Sequence, residues 1–332
     1  MKQHMTTETV ALISIILVCC LLLTAADAII SLLLHFLFGI SMRKAFLWGL
    51  LSLFLPPVFT AYGALIERNL FVVKNVEIRF DDLPENFEGY RIAHISDIHA
   101  HSFIGREKQM EKAVSMINGT SADLIAFTGD LITISPDELE GQAEILAGLH
   151  AKDGVISILG NHDYCQYSDL PEEAKDAEVR RLASLEKGMG WNLLMNENRI
   201  IRRGQDSLAV IGVENTSPSR HFFSKGDLMK ASQGTEGMFR IVLTHDPLHW
   251  EDEIVGKDYP LTLSGHTHAM QFSLPGWSPS GLIFKQYRGL YSQLSDRGQQ
   301  YIHVNIGLGE TIFPARIGTR PEITLITLKR NR

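Results

Sequence analysis

Five short apolar runs in this chain end in the same way, and that recurrence limits what it can fold into. Arg91–Ile95 runs into Ser96-Asp97-Ile98-His99, and Leu124–Thr128 into Gly129-Asp130. Val155–Leu159 runs into Gly160-Asn161-His162-Asp163, and Arg240–Thr244 into His245-Asp246. The last, Leu261–Leu263, runs into Ser264-Gly265-His266-Thr267-His268. Each run has the length of a strand. Each tail presents Asp, Asn or His, several beside a glycine that lets backbone come close. Open α/β sheets assemble their sites at the carboxyl ends of strands. A single Asp after Gly is ordinary turn chemistry. Five such tails together predict one shared site.

The remaining pattern supports the same architecture. Val72–Phe80, Leu208–Val213, Tyr301–Asn305 and Ile323–Leu328 also read as strands. Helical patterns occupy Lys108–Ile117, Leu139–Leu149 and Pro171–Lys187. Asn198–Arg203 and Leu208–Val213, joined across Gly204-Gln205-Asp206, form a predicted β-hairpin. Ser217–Gly237 and Pro275–Gly281, the latter containing Trp277, read as loops. An alternating βα half followed by a strand-rich half predicts two sheets packed face to face with helices outside, over residues 70–332.

Residues 1–69 are of another kind. Thr9–Phe38 is apolar with Asp27 as its only charge, and Ala45–Ile66 is a second apolar run, interrupted by Pro56 and Pro57. At 1.5 Å per residue, each is long enough to cross about 30 Å of hydrocarbon. A cleaved leader competes as an account of the first run, but the run exceeds the apolar part of a leader and a second follows it. A two-helix membrane anchor is therefore expected, making the chain a multi-pass protein of the cell membrane. Asp27 is costly against lipid, so it belongs near a helix end or in a helix–helix contact. Basic residues give no orientation. Arg43 and Lys44 in the connection oppose Lys2, Arg68, Lys74 and Arg79 at the other ends.

Composition excludes some classes of partner and metal. With 31 basic and 38 acidic residues the formal charge is −7, which argues against a nucleic-acid binder. The three cysteines cannot make a disulfide framework, and none stands in the five tails. Carboxylate, imidazole and amide oxygen suit Mn, Fe or Zn ions. Two Asp, one Asn and three or four His are too many donors for one tetrahedral zinc. They fit two divalent ions about 3.5–4 Å apart, with a carboxylate between them, the arrangement used for in-line phosphoester hydrolysis.

Asp97-x-His99, Gly129-Asp130, Gly160-Asn161-His162-Asp163, His245 and Gly265-His266-x-His268 resemble, block for block and in order, the signature of the calcineurin-like metallophosphoesterases. The stretch from Gly307-Leu308-Gly309 through Arg316 to Pro321-Glu322-Ile323 resembles the membrane-associated bacterial branch of that family. The resemblance implies a four-layer αββα sandwich. It also implies that Asp97, His99 and His268 hold one ion, that Asn161, His245 and His266 hold the second, and that Asp130 touches both. His162 would face the substrate, stabilising charge or protonating the leaving oxygen, with Asp163 orienting it by a hydrogen bond.

One departure stands out. Where the family often has two glycines after the last histidine, this chain has Ala269-Met270, followed by Phe272, Leu274 and Trp277. These are core packing with one exposed aromatic, or an apolar rim for an acyl or prenyl chain. The expected activity is metal-dependent hydrolysis of a phosphoester, membrane- or lipid-linked given the anchor. A pyrophosphate bond in a nucleotide-linked lipid precursor is the nearest alternative. An inactive metal-bound scaffold or sensor is the alternative from another class, and degenerate relatives of that kind normally lack ligands that this chain keeps.

Overall fold

The computed structural model describes residues 2–219, 224–296 and 298–331, with side chains from Thr9 onward in the first segment. Residues 220–223 of the Ser217–Gly237 loop and the Lys2 side chain, counted in the charge tally, lie outside the described residues.

The first helix, α1, spans Lys2–Phe38, and from Thr9 onward it is apolar on all sides apart from Asp27. The second apolar run changes helix type along its length. It is built from α2 (Met42–Gly49), a 3₁₀ turn (Leu50–Phe54) and α3 (Leu55–Leu65). Pro56 and Pro57 sit in the first turn of α3, where no backbone donor is needed. Thr9–Phe38 and Met42–Asn69 are each long and apolar enough to cross a membrane. Asp27 lies in a helix–helix contact, as expected of a charge in such a run. Ser52 Oγ donates to its carboxylate (3.1 Å), and a Cβ at Gly49 would come within 2.5 Å of its carboxyl carbon. The far end of α3 is tied to the rest of the chain. The Arg316 backbone N–H donates to the Gly63 carbonyl (3.4 Å), and Arg68 pairs with Glu310 (2.9 Å).

Beyond α3 the chain forms two six-stranded sheets. The first contains β1 (Val72–Phe80), β2 (Arg91–Ile95), β3 (Leu124–Phe127), β4 (Val155–Ser157), β5 (Asn192–Leu193) and β12 (Glu322–Arg330). Its spatial order is β1-β12-β2-β3-β4-β5, so β12 lies between β1 and β2. The second contains β6 (Glu197–Arg203), β7 (Asp206–Gly212), β8 (Phe239–Leu243), β9 (Leu261–Ser264), β10 (Gly289–Ser295) and β11 (Gly298–Val304). Its order is β10-β11-β9-β8-β7-β6, with β7, β8, β9 and β11 parallel.

Period-two patterning glues the sheets together. Ile92, Leu124, Ala126 and Ile156 of the first sheet pack with Leu208, Ile241, Leu243 and Leu261 of the second. The alternate residues Ala93, Ile95, Ile125 and Phe127 face outward, under α4 (Glu107–Gly119), α5 (Ala143–Leu146) and α6 (Glu172–Gly188). The outer face of the second sheet carries a thinner layer, α7 (Leu228–Ala231) and the turn of Trp250–Ile254. This is the four-layer αββα sandwich.

Two local expectations change. The helix expected over Leu139–Leu149 shrinks to α5, because Gly141 takes a left-handed φ of +75° and stops the first turn at Leu139. β10 gave no strand signal, since it is an edge strand with Leu290 and Leu294 exposed.

Glu186 of α6 is fully buried against Ser157, whose hydroxyl donates to it. Burial pushes its carboxyl from the ordinary 4.5 up to about 8. The folded state therefore holds this proton more tightly than the unfolded chain does. Its contribution is fully present below pH 4.5 and is lost as the pH rises towards 8. Glu186→Gln should flatten the fall in melting temperature between about pH 5 and about pH 9, read by scanning fluorimetry. An unchanged slope in the variant would assign that fall to other groups.

Candidate metal centre

The five strand tails meet at one end of the sandwich. Those after β2, β3 and β4 come from the first sheet, and those after β8 and β9 from the second. Backbone hydrogen bonds lock them together. Asp97 N–H donates to Gly129 O (2.9 Å), His99 N–H to Asp130 O (3.1 Å), and His266 N–H to both Asp97 carboxylate oxygens (3.1 Å). Gly265 is required here, because a Cβ at that position would collide with the side chains of Ser96 and Asp97.

All seven residues expected to bind metal are brought together in two linked clusters. In one, His268 Nε2 lies 3.2 Å from Asp97 Oδ1 and 3.1 Å from His99 Nε2. In the other, His266 Nδ1 lies 2.9 Å from Asn161 Oδ1 and 3.3 Å from His245 Nε2. Asp130 belongs to both, with Oδ2 3.7 Å from His99 Nε2 and 3.0 Å from His245 Nε2. Donor atoms of Asp97, His99 and His268, and those of Asp130, His245 and His266, fall within 4.8 Å of one another. Five of the seven residues (Asp97, His99, Asp130, His266 and His268) have left-handed φ values of 44–73°. Such backbone is strained for non-glycine residues and persists where the surroundings over-determine it.

The hydrogen bonds fix which atoms face inward. His245 Nδ1 lies 2.7 Å from the Thr128 carbonyl, which can only accept, so Nδ1 carries the proton. Its Nε2 is then the ring atom that faces the Asp130 carboxylate, 3.0 Å from Oδ2. A proton on Nε2 satisfies this contact in the absence of metal, and a bound cation would take that proton's place between imidazole and carboxylate. Burial opposes charge on His245, yet Asp130 beside it lifts the ring to about 10. Asn161 Nδ2 donates to the Tyr167 hydroxyl (3.4 Å), which turns Oδ1 towards His266. Burial, reinforced at His99 by His162, keeps the His99 and His266 rings below the ordinary histidine range, neutral and able to donate a lone pair. Burial works against ionising Asp97 and Asp130, but the surrounding histidines hold both carboxyls below the ordinary carboxylate range. Imidazole, carboxylate and amide oxygen, with no thiol in either cluster, fit a pair of Mn, Fe or Zn ions.

Asp163 departs from expectation. Its carboxylate does not orient the His162 ring; it accepts from four backbone amides, those of Asp130, Leu131, Ile132 and Gly160, at 2.8–3.1 Å. It therefore pins the β3 and β4 tails to each other. Orientation of His162 comes from the Thr133 carbonyl, 2.7 Å from Nδ1, and from the Tyr167 ring, 4.5 Å away centre to centre. Backbone carbonyls leave no residue-type trace, so Thr128 and Thr133 could not be found from sequence. Arg316, buried beneath His268, bonds the carbonyls of Ile306 and Thr319 (3.0 Å each), and its Nη2 lies 3.3 Å from His268 Nδ1. His94 bonds side chains, His303 and Thr128 (3.0 Å each).

Residues 90–270 match the family model of the calcineurin-like phosphoesterases, and the chain belongs to that family. It is 29% identical over 306 residues to the uncharacterized metallophosphoesterase YkuE of Bacillus subtilis, covering 86% of this chain and 97% of that one. Against the transmembrane protein with metallophosphoesterase domain of Danio rerio it is 32% identical over 288 residues, 84% of this chain and 62% of the other. UDP-2,3-diacylglucosamine pyrophosphatase LpxG of Chlamydia muridarum is 26% identical over 305 residues, 79% of this chain and 91% of its own. With two apolar helices and relatives named as transmembrane proteins, the chain is membrane-associated.

Proposed function

We propose that the chain is a membrane-anchored phosphoester hydrolase, with residues 1–69 as a two-span anchor and residues 70–332 as the catalytic domain. In this assignment Asp97, His99 and His268 hold one divalent ion, Asn161, His245 and His266 hold another, and Asp130 serves both. The observation that carries it is the Asp130 carboxylate, set between two donor clusters with Oδ2 3.7 Å from His99 Nε2 and 3.0 Å from His245 Nε2. Bound there, two ions would polarise a phosphoryl oxygen and make an attacking water more acidic. His162 Nδ1–H donates a hydrogen bond to the Thr133 carbonyl, which leaves Nε2 to stabilise charge on the leaving oxygen or to supply it with a proton. Asp163 keeps the two loops in register while this happens.

The substrate in this proposal is lipid-linked, supported by the apolar helices beside the site. A pyrophosphate bond in a nucleotide-linked lipid is the second reading, and the similarity to LpxG, named for such a substrate, favours it. A scaffold without activity is disfavoured because no donor of either cluster is missing.

Protein purified without chelator should carry about two ions per chain by elemental analysis and hydrolyse p-nitrophenyl phosphate or its diester with Mn²⁺. One ion, or no turnover on either ester, would defeat the assignment. His162→Ala should lower the rate roughly a hundredfold with both ions retained. Loss of an ion would make His162 a ligand, since its ring nitrogen also lies within 4.8 Å of His99 and Asp130 donors.

A further inference from the structure

The metal centre opens onto a cavity of about 1070 Å³ between the membrane helices and the catalytic domain. That is the upper end of the range for small-molecule sites. One wall is helical and comes from the anchor: Leu12, Ile16 and Leu23 of α1 with Leu55 and Phe59 of α3. The other wall comes from residues 270–284 and 311–317, including Met270, Ile283, Phe284, Ile312 and Phe313. The inner end is made by His266 and His268 themselves, and the Phe284 ring meets the His266 ring edge-on at 5.8 Å between centres. Trp277, considered for an apolar rim, packs on Phe272 and is not part of this lining, whereas Met270 is.

Two features of the domain-side wall need a reason. Ile283 and Ile312 are 62% and 67% exposed although they border the cavity. Ile312 also holds a left-handed φ of +65°, a genuine outlier for a β-branched residue. Folding alone gains nothing from an exposed isoleucine in strained backbone. Water would be a poor occupant of a space walled by hydrocarbon. A molecule with a phosphate at one end and a hydrocarbon chain at the other satisfies both ends.

We infer that this cavity is the acyl-chain site of a lipid phosphate ester drawn sideways from the bilayer, its phosphate at His266 and His268 and its chain between α1, α3 and the Ile283–Ile312 wall. The inference rests on the phosphoesterase assignment above and names its substrate class. No bond is made or broken in the cavity; it selects and positions.

The test uses the full chain in nanodiscs and two photoreactive lipids with the same diazirine-tipped chain, one a phosphatidic acid and one a diacylglycerol. Phosphatidic acid should label the peptides carrying Phe59, Ile283 and Ile312 at least about fivefold more than diacylglycerol does. The double variant Ile283→Ser, Ile312→Asn should lose that preference. Asn tolerates left-handed backbone better than Ile, so the second change does not threaten the fold. Hydrolysis of p-nitrophenyl phosphate by the variant should stay within about twofold of the original. Equal labelling by the two lipids would mean that hydrocarbon merely fills a gap, and would overturn the inference. Labelling confined to outward residues such as Leu21 or Phe36 would overturn it too. If the unsubstituted protein hydrolyses neither p-nitrophenyl phosphate nor its diester, the phosphoesterase assignment falls instead, and the labelling pattern tells the two failures apart.

Discussion

Asp130→Asn should leave a folded protein with roughly a thousandth of the original hydrolytic rate and a weaker hold on both ions. The substitution keeps shape and removes charge. Oδ1 can still accept from the His162 backbone N–H (2.9 Å), and the Asp130 N–H still donates to Asp163 (2.8 Å), so the two loops stay in register. The change falls on the atom that faces His245 Nε2 at 3.0 Å and His99 Nε2 at 3.7 Å. An amide NH₂ there puts a donor where a cation belongs. Metal content should therefore drop at both positions together, unlike His266→Ala, which touches one cluster. Retained activity, or loss of a single ion only, would show that this carboxylate is not shared.

Asp163→Ala should act through stability and only then through chemistry. The carboxylate satisfies four buried amides, and burial beside Asp130 pushes its own pKa up to about 7 against their pull. Removing it strands donors that cost about 1–3 kcal/mol each when unpaired. Some will find water, so a loss on the order of 4 kcal/mol is expected, which lowers the melting temperature by roughly 10 °C. A thermal melt of the detergent-solubilised protein measures it. An unchanged melt with lost turnover would return Asp163 to the direct role in His162 chemistry that its place in the sequence suggested.

That contrast shows what sequence could convey. The five tails were legible because chemistry needs particular side chains, and strands deliver them at one end of a sheet. The pairing of Asp97 with His268 and of Asn161 with His266 follows from where those strands lie. The role of Asp163 was not legible, because its partners are backbone amides of residues that could be any type. β10 escaped for a related reason: an edge strand keeps neither apolar face. The cavity could not be read either. Its walls come from α1 and α3 on one side and from segments more than two hundred positions downstream on the other. The local hint was the apolar stretch with Met270, Phe272 and Leu274, all three of which line the cavity.

The place of β12 bears on how such a molecule comes into being. It is wedged between β1 and β2, and it pairs in parallel with a strand about 250 positions upstream. On the ribosome, α1, α3, β1 and β2 are all made while the slot between β1 and β2 is still vacant. Until Glu322–Arg330 arrives, β2 offers its bare edge to neighbouring chains. Closure of the first sheet thus waits on residues 322–330, made long after β2 has left the ribosome.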